Sequence, residues 1–158
     1  MRFFNMLIAK LILLSLFATL YAKDYTIELK NQKSTINQKL AISEIEKLNS
    51  VEYKLVDPYS KKEVVYKGVL VKDFLKNFSK NATGLNLKAY DNYKVTISKE
   101  LISSYDMMLA YSANGKMLEL RDGGPLKVVF PYHKHQDIDK NKINAYWIWM
   151  IKEIEFIK

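Results

Sequence analysis

The chain of 158 residues contains no cysteine. No disulfide is possible, so stability must come from an apolar core alone, and any chemistry that requires a protein thiolate is excluded. Phosphate-loop and dinucleotide fingerprints are missing too. Ser103 and Ser104 lie in no nucleophile elbow, and Asp57, Asp73, Asp106 and Asp122 are too scattered to suggest a paired-carboxylate site. There is no internal repeat, coiled coil or low-complexity segment. The formal charge is +8, but no dense basic block accompanies it: Lys54, Lys61, Lys62, Lys67, Lys72, Lys76 and Lys80 are spread along the chain. Such a surface favours solubility or adhesion to anionic surfaces, and it argues against nucleic acid as a partner.

Long apolar runs are lacking except at the start. Arg2 and Lys10 precede the run 11–22, which gives way at once to Lys23 and Asp24, the layout of a secretory signal peptide. About a dozen apolar residues are too few for a span that needs roughly 20, although counting from Phe3 reaches borderline length and leaves a retained anchor as the alternative. The expected division is a signal peptide at 1–22, cut near Ala22 although Leu20 is larger than ideal at the third position before the cut, and one domain at 23–158. That places the mature chain in the periplasm with no stable membrane span.

Within the domain, Thr26 to Leu29 alternates as a first strand, and Ser43 with Glu46 has capping-box spacing for a short helix running to Leu48. Residues 51–56 and 63–66 read as strands, with Gly68 ending the second. Leu70, Val71, Phe74, Leu75 and Phe78 share a helical face. Residues 85–89 and 93–97 read as an antiparallel pair, a short helix follows at 99–104, and Asn114-Gly115 predicts a tight hairpin joining 108–113 to 116–120. A Gly-Gly turn at 121–125 leads to a buried strand at 126–130. A polar loop at 132–145 then leads to a closing strand at 146–157. The expected class is α+β, a mixed and mainly antiparallel sheet with a few short helices.

The stretches 66–75, 93–97, 105–110, 114–117, 121–131 and 149–156, in this order, resemble the sulfite-oxidase-like molybdopterin-binding domain, and above all its small secreted single-domain bacterial members. The most specific piece is Arg121-Asp-Gly-Gly-Pro-Leu-Lys-Val-Val-Phe-Pro131. The resemblance implies that fold and, in catalytic members, molybdenum held by the pterin dithiolene and one protein cysteine. The matching segment near 53–58 reads Tyr-Lys-Leu-Val-Asp-Pro, so cysteine-ligated molybdenum chemistry is excluded by composition. What is left is the scaffold alone, or the scaffold with a pocket for a pterin or another anion.

Candidate binding residues follow. Arg121 stands before a Gly-Gly turn whose amides can cradle an anion, or it can pair with Asp122 and hold the turn; Gly123 and Gly124 are also explained by positive φ. Trp147 and Trp149 would share one face of a strand, either filling the core beside Phe130 and Phe74 or stacking on a flat ligand. Tyr132 is a further aromatic candidate, and the 13% aromatic share fits a pocket or an interaction face. On an extended segment His133, His135 and Asp137 share a side and can bind zinc or copper, against the plainer reading of a solvated loop; the two histidines could also titrate near neutral pH.

The leading expectation is a periplasmic, non-catalytic module that binds a small anionic or aromatic ligand, or a periplasmic or membrane protein partner. No cofactor is expected, with molybdopterin possible by resemblance. The alternatives are a molybdopterin-dependent oxidoreductase with a non-cysteine ligand such as Asp57, and a metal-binding protein using the 133–137 loop.

Overall fold

The computed structural model describes residues 24–31, 38–135 and 139–158. The expected leader at 1–22 and Asp137 lie outside the described residues. Among the described residues, ten strands form two sheets. In the first, the order is β2 (Gln38–Ala41), β1 (Thr26–Asn31), β10 (Ile151–Ile157), β5 (Gly84–Ala89) and β6 (Lys94–Ser98). All its pairings are antiparallel except β1 with β10, which is parallel. In the second, the order is β3 (Ser50–Val56), β4 (Glu63–Leu70), β7 (Met108–Ala113) and β8 (Lys116–Met117), with β9 (Lys127–Val129) also paired to β7. Every pairing there is antiparallel. The α+β class, mainly antiparallel with short helices, is as the sequence predicts, although the strands divide between two sheets.

Alternation decides which faces meet. In β5 and β10, Leu85, Leu87, Ile151, Ile154 and Phe156 are buried, while β7 is buried over five consecutive residues, as its unbroken apolar run requires. These residues join Tyr53, Leu55, Val69, Phe74 and Phe130 in one core shared by both sheets.

Several local expectations change. Gly68 does not end β4 but sits within it, where the pairing with β7 shifts register after Lys67; a Cβ there would lie 2.1 Å from the Leu109 carbonyl oxygen. The helix Ile42–Glu46 has no capping box. Asp24 takes that part from outside, accepting the Ser43 amide at 3.3 Å and its hydroxyl at 2.6 Å. The segment 132–145 contains the short helix Lys140–Ile143 and runs into the 3₁₀ turn Asn144–Tyr146. Finally, the closing strand begins only at Ile151, because Met150 has φ 55° and breaks the extended run.

That break matters for the site. Residues 147–150 leave the strand path and, with Ile151 at the start of β10, lie against 123–128. There the amides of Val128, Met150 and Ile151 donate to the carbonyls of Ile148, Gly123 and Leu126 at 2.8, 2.8 and 3.1 Å. The Tyr90 amide donates to the Met150 carbonyl at 2.9 Å. The segment bridges the two sheets.

Candidate binding site

Asp57 follows β3 directly and is 2% exposed, while Lys127, on β9, is 9% exposed. A carboxylate and an ammonium buried this far require partners. Asp57 Oδ1 accepts the amides of Tyr59 and Ser60 at 2.9 and 2.7 Å, closing the β3–β4 turn. Its Oδ2 accepts the Tyr66 hydroxyl at 2.7 Å and Lys127 Nζ at 2.8 Å, and Lys127 Nζ also donates to the Tyr66 oxygen at 3.0 Å. The same ammonium lies 5.1 Å from the centre of the Tyr66 ring and 5.3 Å from that of Trp147. Burial alone would raise the Asp57 carboxyl, but the bonds from Lys127, the Ser60 amide and Tyr66, with the charge of Lys127, outweigh it and hold the group well below the usual carboxylate range. Burial, reinforced by the bond to Asp57 and its charge, pushes the Tyr66 phenol far up, so it stays protonated.

Two hollows flank this cluster. One, of about 300 Å³, lies over Asp57, Tyr66 and Lys127 and is edged by Asp122 and Gly123. The other, of about 230 Å³, is lined by Ala89, Asp91, Tyr93, Asn144, Ala145 and Trp147. Tyr59 and Trp149 line both. Their rings meet edge-on at 4.9 Å and 74°, forming the partition between the hollows.

The expected binding residues divide. Trp147 is 1% exposed and therefore core, yet it lines the smaller hollow. Tyr132 stacks on it at 5.5 Å and 19° and donates to Asn144 Oδ1; burial pushes its phenol up to about 12. Trp149, by contrast, is 37% exposed. The two indoles do not share a strand face, because the segment carrying them is not a strand. Arg121 is well exposed, its Nε 3.2 Å from Glu119 and 3.7 Å from Asp122, and it lines neither hollow. The Gly123 amide donates to the Leu120 carbonyl and the Gly124 amide to that of Glu119, so both close the turn on itself. Gly123 has φ 87°, the left-handed conformation expected of it, but Gly124 does not; there it is close approach that requires glycine, since a Cβ would lie 2.1 Å from the Leu118 carbonyl oxygen.

His133 and His135 stand apart, each edge-on at 5.0 Å to a tyrosine, Tyr53 and Tyr105 respectively. Burial and the charges of Lys134 and His135 push the His133 imidazole below its ordinary value. Among the described residues no group of three or more His, Asp or Glu is placed to hold a metal ion, and Asp137 lies outside them. The sequence reading did not anticipate Lys127 or Tyr66; the available signal was a lysine inside the apolar run 126–130.

The donor set does not fit cysteine-ligated molybdenum. There is no thiol in the chain, and Asp57, the oxygen donor in the matching segment, has both oxygens engaged by four donors.

Residues 19–136 match the family described as the oxidoreductase molybdopterin binding domain. No curated protein sequence matches the chain. Among solved structures, the sulfane dehydrogenase SoxCD from Paracoccus pantotrophus is similar, with a TM-score of 0.58 over 87% of this chain at 15% identity. The match covers 39% of the SoxCD chain, so this protein spans well under half of that length, and the likeness is one of fold. With most of its length matched and the same fold found in SoxCD, the chain belongs to the oxidoreductase molybdopterin binding domain family.

Proposed function

We propose that this protein is a binding module built on the molybdopterin-domain scaffold, working in the periplasm after removal of its leader and without cysteine-ligated molybdenum. The observation that carries this reading is the closed cluster of Asp57, Tyr66 and Lys127. In the segment 53–58, where the resemblance would put the thiolate of catalytic relatives, this chain has a carboxylate whose oxygens are both spent on holding the β3–β4 turn to β9. Opening it to a metal would break the Lys127 bond and leave a buried ammonium without its counter-charge, a cost of several kcal/mol. What the cluster does instead is position. It fixes Tyr59 through the turn amide and sets Lys127 beneath Trp147, so the two aromatic hollows form on a rigid base. The apolar leader at the start of the sequence supports the location, and the ligand or protein partner would be met there.

The test is the cofactor content of the untagged protein, recovered from the periplasm of a host that makes molybdenum cofactor. Metals are measured by mass spectrometry and released pterin by fluorescence. Far less than one equivalent of molybdenum is expected; stoichiometric molybdenum with pterin would overturn the reading.

A further inference from the structure

We infer that the smaller hollow, between Tyr59, Tyr93, Trp147 and Trp149, is a site for a compact organic cation of the alkylammonium class. Three exposed aromatic residues, Tyr59, Tyr93 and Trp149, wall a space of about 230 Å³, and the buried Trp147, already stacked on Tyr132 and facing the Lys127 ammonium, closes it from beneath. The tyrosine hydroxyls are already committed, Tyr59 donating to the Asn144 carbonyl at 2.8 Å and Tyr93 to that of Ala145 at 3.1 Å. Their polar ends are thus pinned to one short segment, and what they offer a ligand is ring surface. Electron-rich ring faces attract a desolvated cation, and quaternary ammonium groups are bound by such cages.

Charge argues in the same direction. The chain carries 25 lysines and arginines against 17 acidic residues, yet none of those bases lines this hollow. The one charged lining residue is Asp91. Its Oδ1 accepts the Tyr93 amide at 2.9 Å, and it makes no ion pair among the described residues. A small anion would meet a carboxylate there, and a neutral flat ring would leave that carboxylate unused. A cation uses both the rings and Asp91. Access is open, since Tyr59 is 50%, Tyr93 49% and Trp149 37% exposed. The volume lies below the roughly 300 Å³ at which pockets for drug-sized ligands begin, which limits the occupant to something the size of a trimethylammonium head with a short tail.

This inference rests on the reading of the domain as a binding module, but the two fail separately: cofactor content decides that reading, and titration with cations decides this one. Protein expressed from the full sequence is titrated with choline and, in parallel, with 3,3-dimethylbutan-1-ol, its uncharged equivalent in shape. Binding is followed by indole fluorescence and calorimetry. Choline is expected to bind roughly tenfold or more tighter than the alcohol. Trp149→Leu and Tyr93→Leu should each weaken choline about tenfold, and Asp91→Asn a few-fold, with circular dichroism unchanged. Tyr93 is half exposed, so its variant keeps the test open should the Trp149 variant misfold. Equal affinity for choline and the alcohol, no saturable response to choline, or binding that survives all three substitutions would overturn the proposal. A free solute and a lipid headgroup share this chemistry. Sedimentation with phosphatidylcholine vesicles that free choline competes away would assign the headgroup, and choline binding without binding to those vesicles would assign the solute; each upholds the cation site.

Discussion

The Asp57–Lys127 pair decides the character of this domain, and its energetics are asymmetric. Lys127→Met leaves a buried carboxylate without its counter-charge and is expected to cost about 3–5 kcal/mol, whereas Asp57→Asn combined with Lys127→Met should recover most of that loss. Urea melts of the wild type, both single variants and the double variant measure the coupling, and additivity would show that the pair is not a unit. The same cycle carries a pH signature. The folded Asp57 carboxyl lies below its ordinary value of 3.8, so its stabilisation is complete above that value and is lost as pH falls through the lower folded value. The gap in stability between wild type and Asp57→Asn should therefore narrow as pH drops from about 5 towards 3; a constant gap would show that the carboxylate charge contributes nothing. Of this site, Trp147 and Tyr132 were legible as aromatics at suggestive positions. Lys127 was not, because a lysine in an apolar strand has meaning only through Asp57, 70 residues earlier in the chain.

At the scale of elements, glycine in β4 separates local from non-local signals. A methyl group at Gly68 would sit 2.1 Å from the Leu109 carbonyl oxygen and 2.6 Å from Ala110 Cα, both backbone, so β7 itself would have to move. At Gly115 nothing lies within 4 Å and only φ +76° opposes a side chain. Gly68→Ala should therefore cost about 3 kcal/mol or more and Gly115→Ala about 1 kcal/mol, read from thermal or urea melts; the reverse ranking would contradict the β4–β7 contact. The Asn114-Gly115 hairpin, the helix Val71–Phe78 and the β5–β6 pair were legible because turn chemistry and apolar spacing act within a few residues. The role of Gly68 was hidden because the strand it touches comes 40 residues later. Ser43 has the spacing of a cap, but the Asp24 that holds it is 19 residues away and out of reach of local pattern. The alternation from 146 to 150 imitated a strand, and only the positive φ of Met150 reveals the bend that creates the site.

For the whole molecule, the last strand holds a place that its sequence alone does not disclose. The family match ends at residue 136, yet β10 is the middle strand of the first sheet, parallel to β1 on one side and antiparallel to β5 on the other. Without it the sheet falls into two separate pairs, β2 with β1 and β5 with β6, and an isolated two-stranded hairpin is marginal in water. The loss also removes Ile151, Ile154 and Phe156, each 2% exposed or less, from the core. At about 2–5 kcal/mol for each large apolar side chain taken from a core, their sum reaches the whole stability of an ordinary domain of about 5–15 kcal/mol. A chain ending at Met150 should therefore show no cooperative melt by circular dichroism and no binding at the Trp147–Trp149 hollow, although it retains every lining residue of that hollow. A cooperative transition in that shortened chain would mean that the second sheet folds alone, while binding would still be absent because Ala89, Asp91 and Tyr93 come from β5 and the β5–β6 turn of the first sheet.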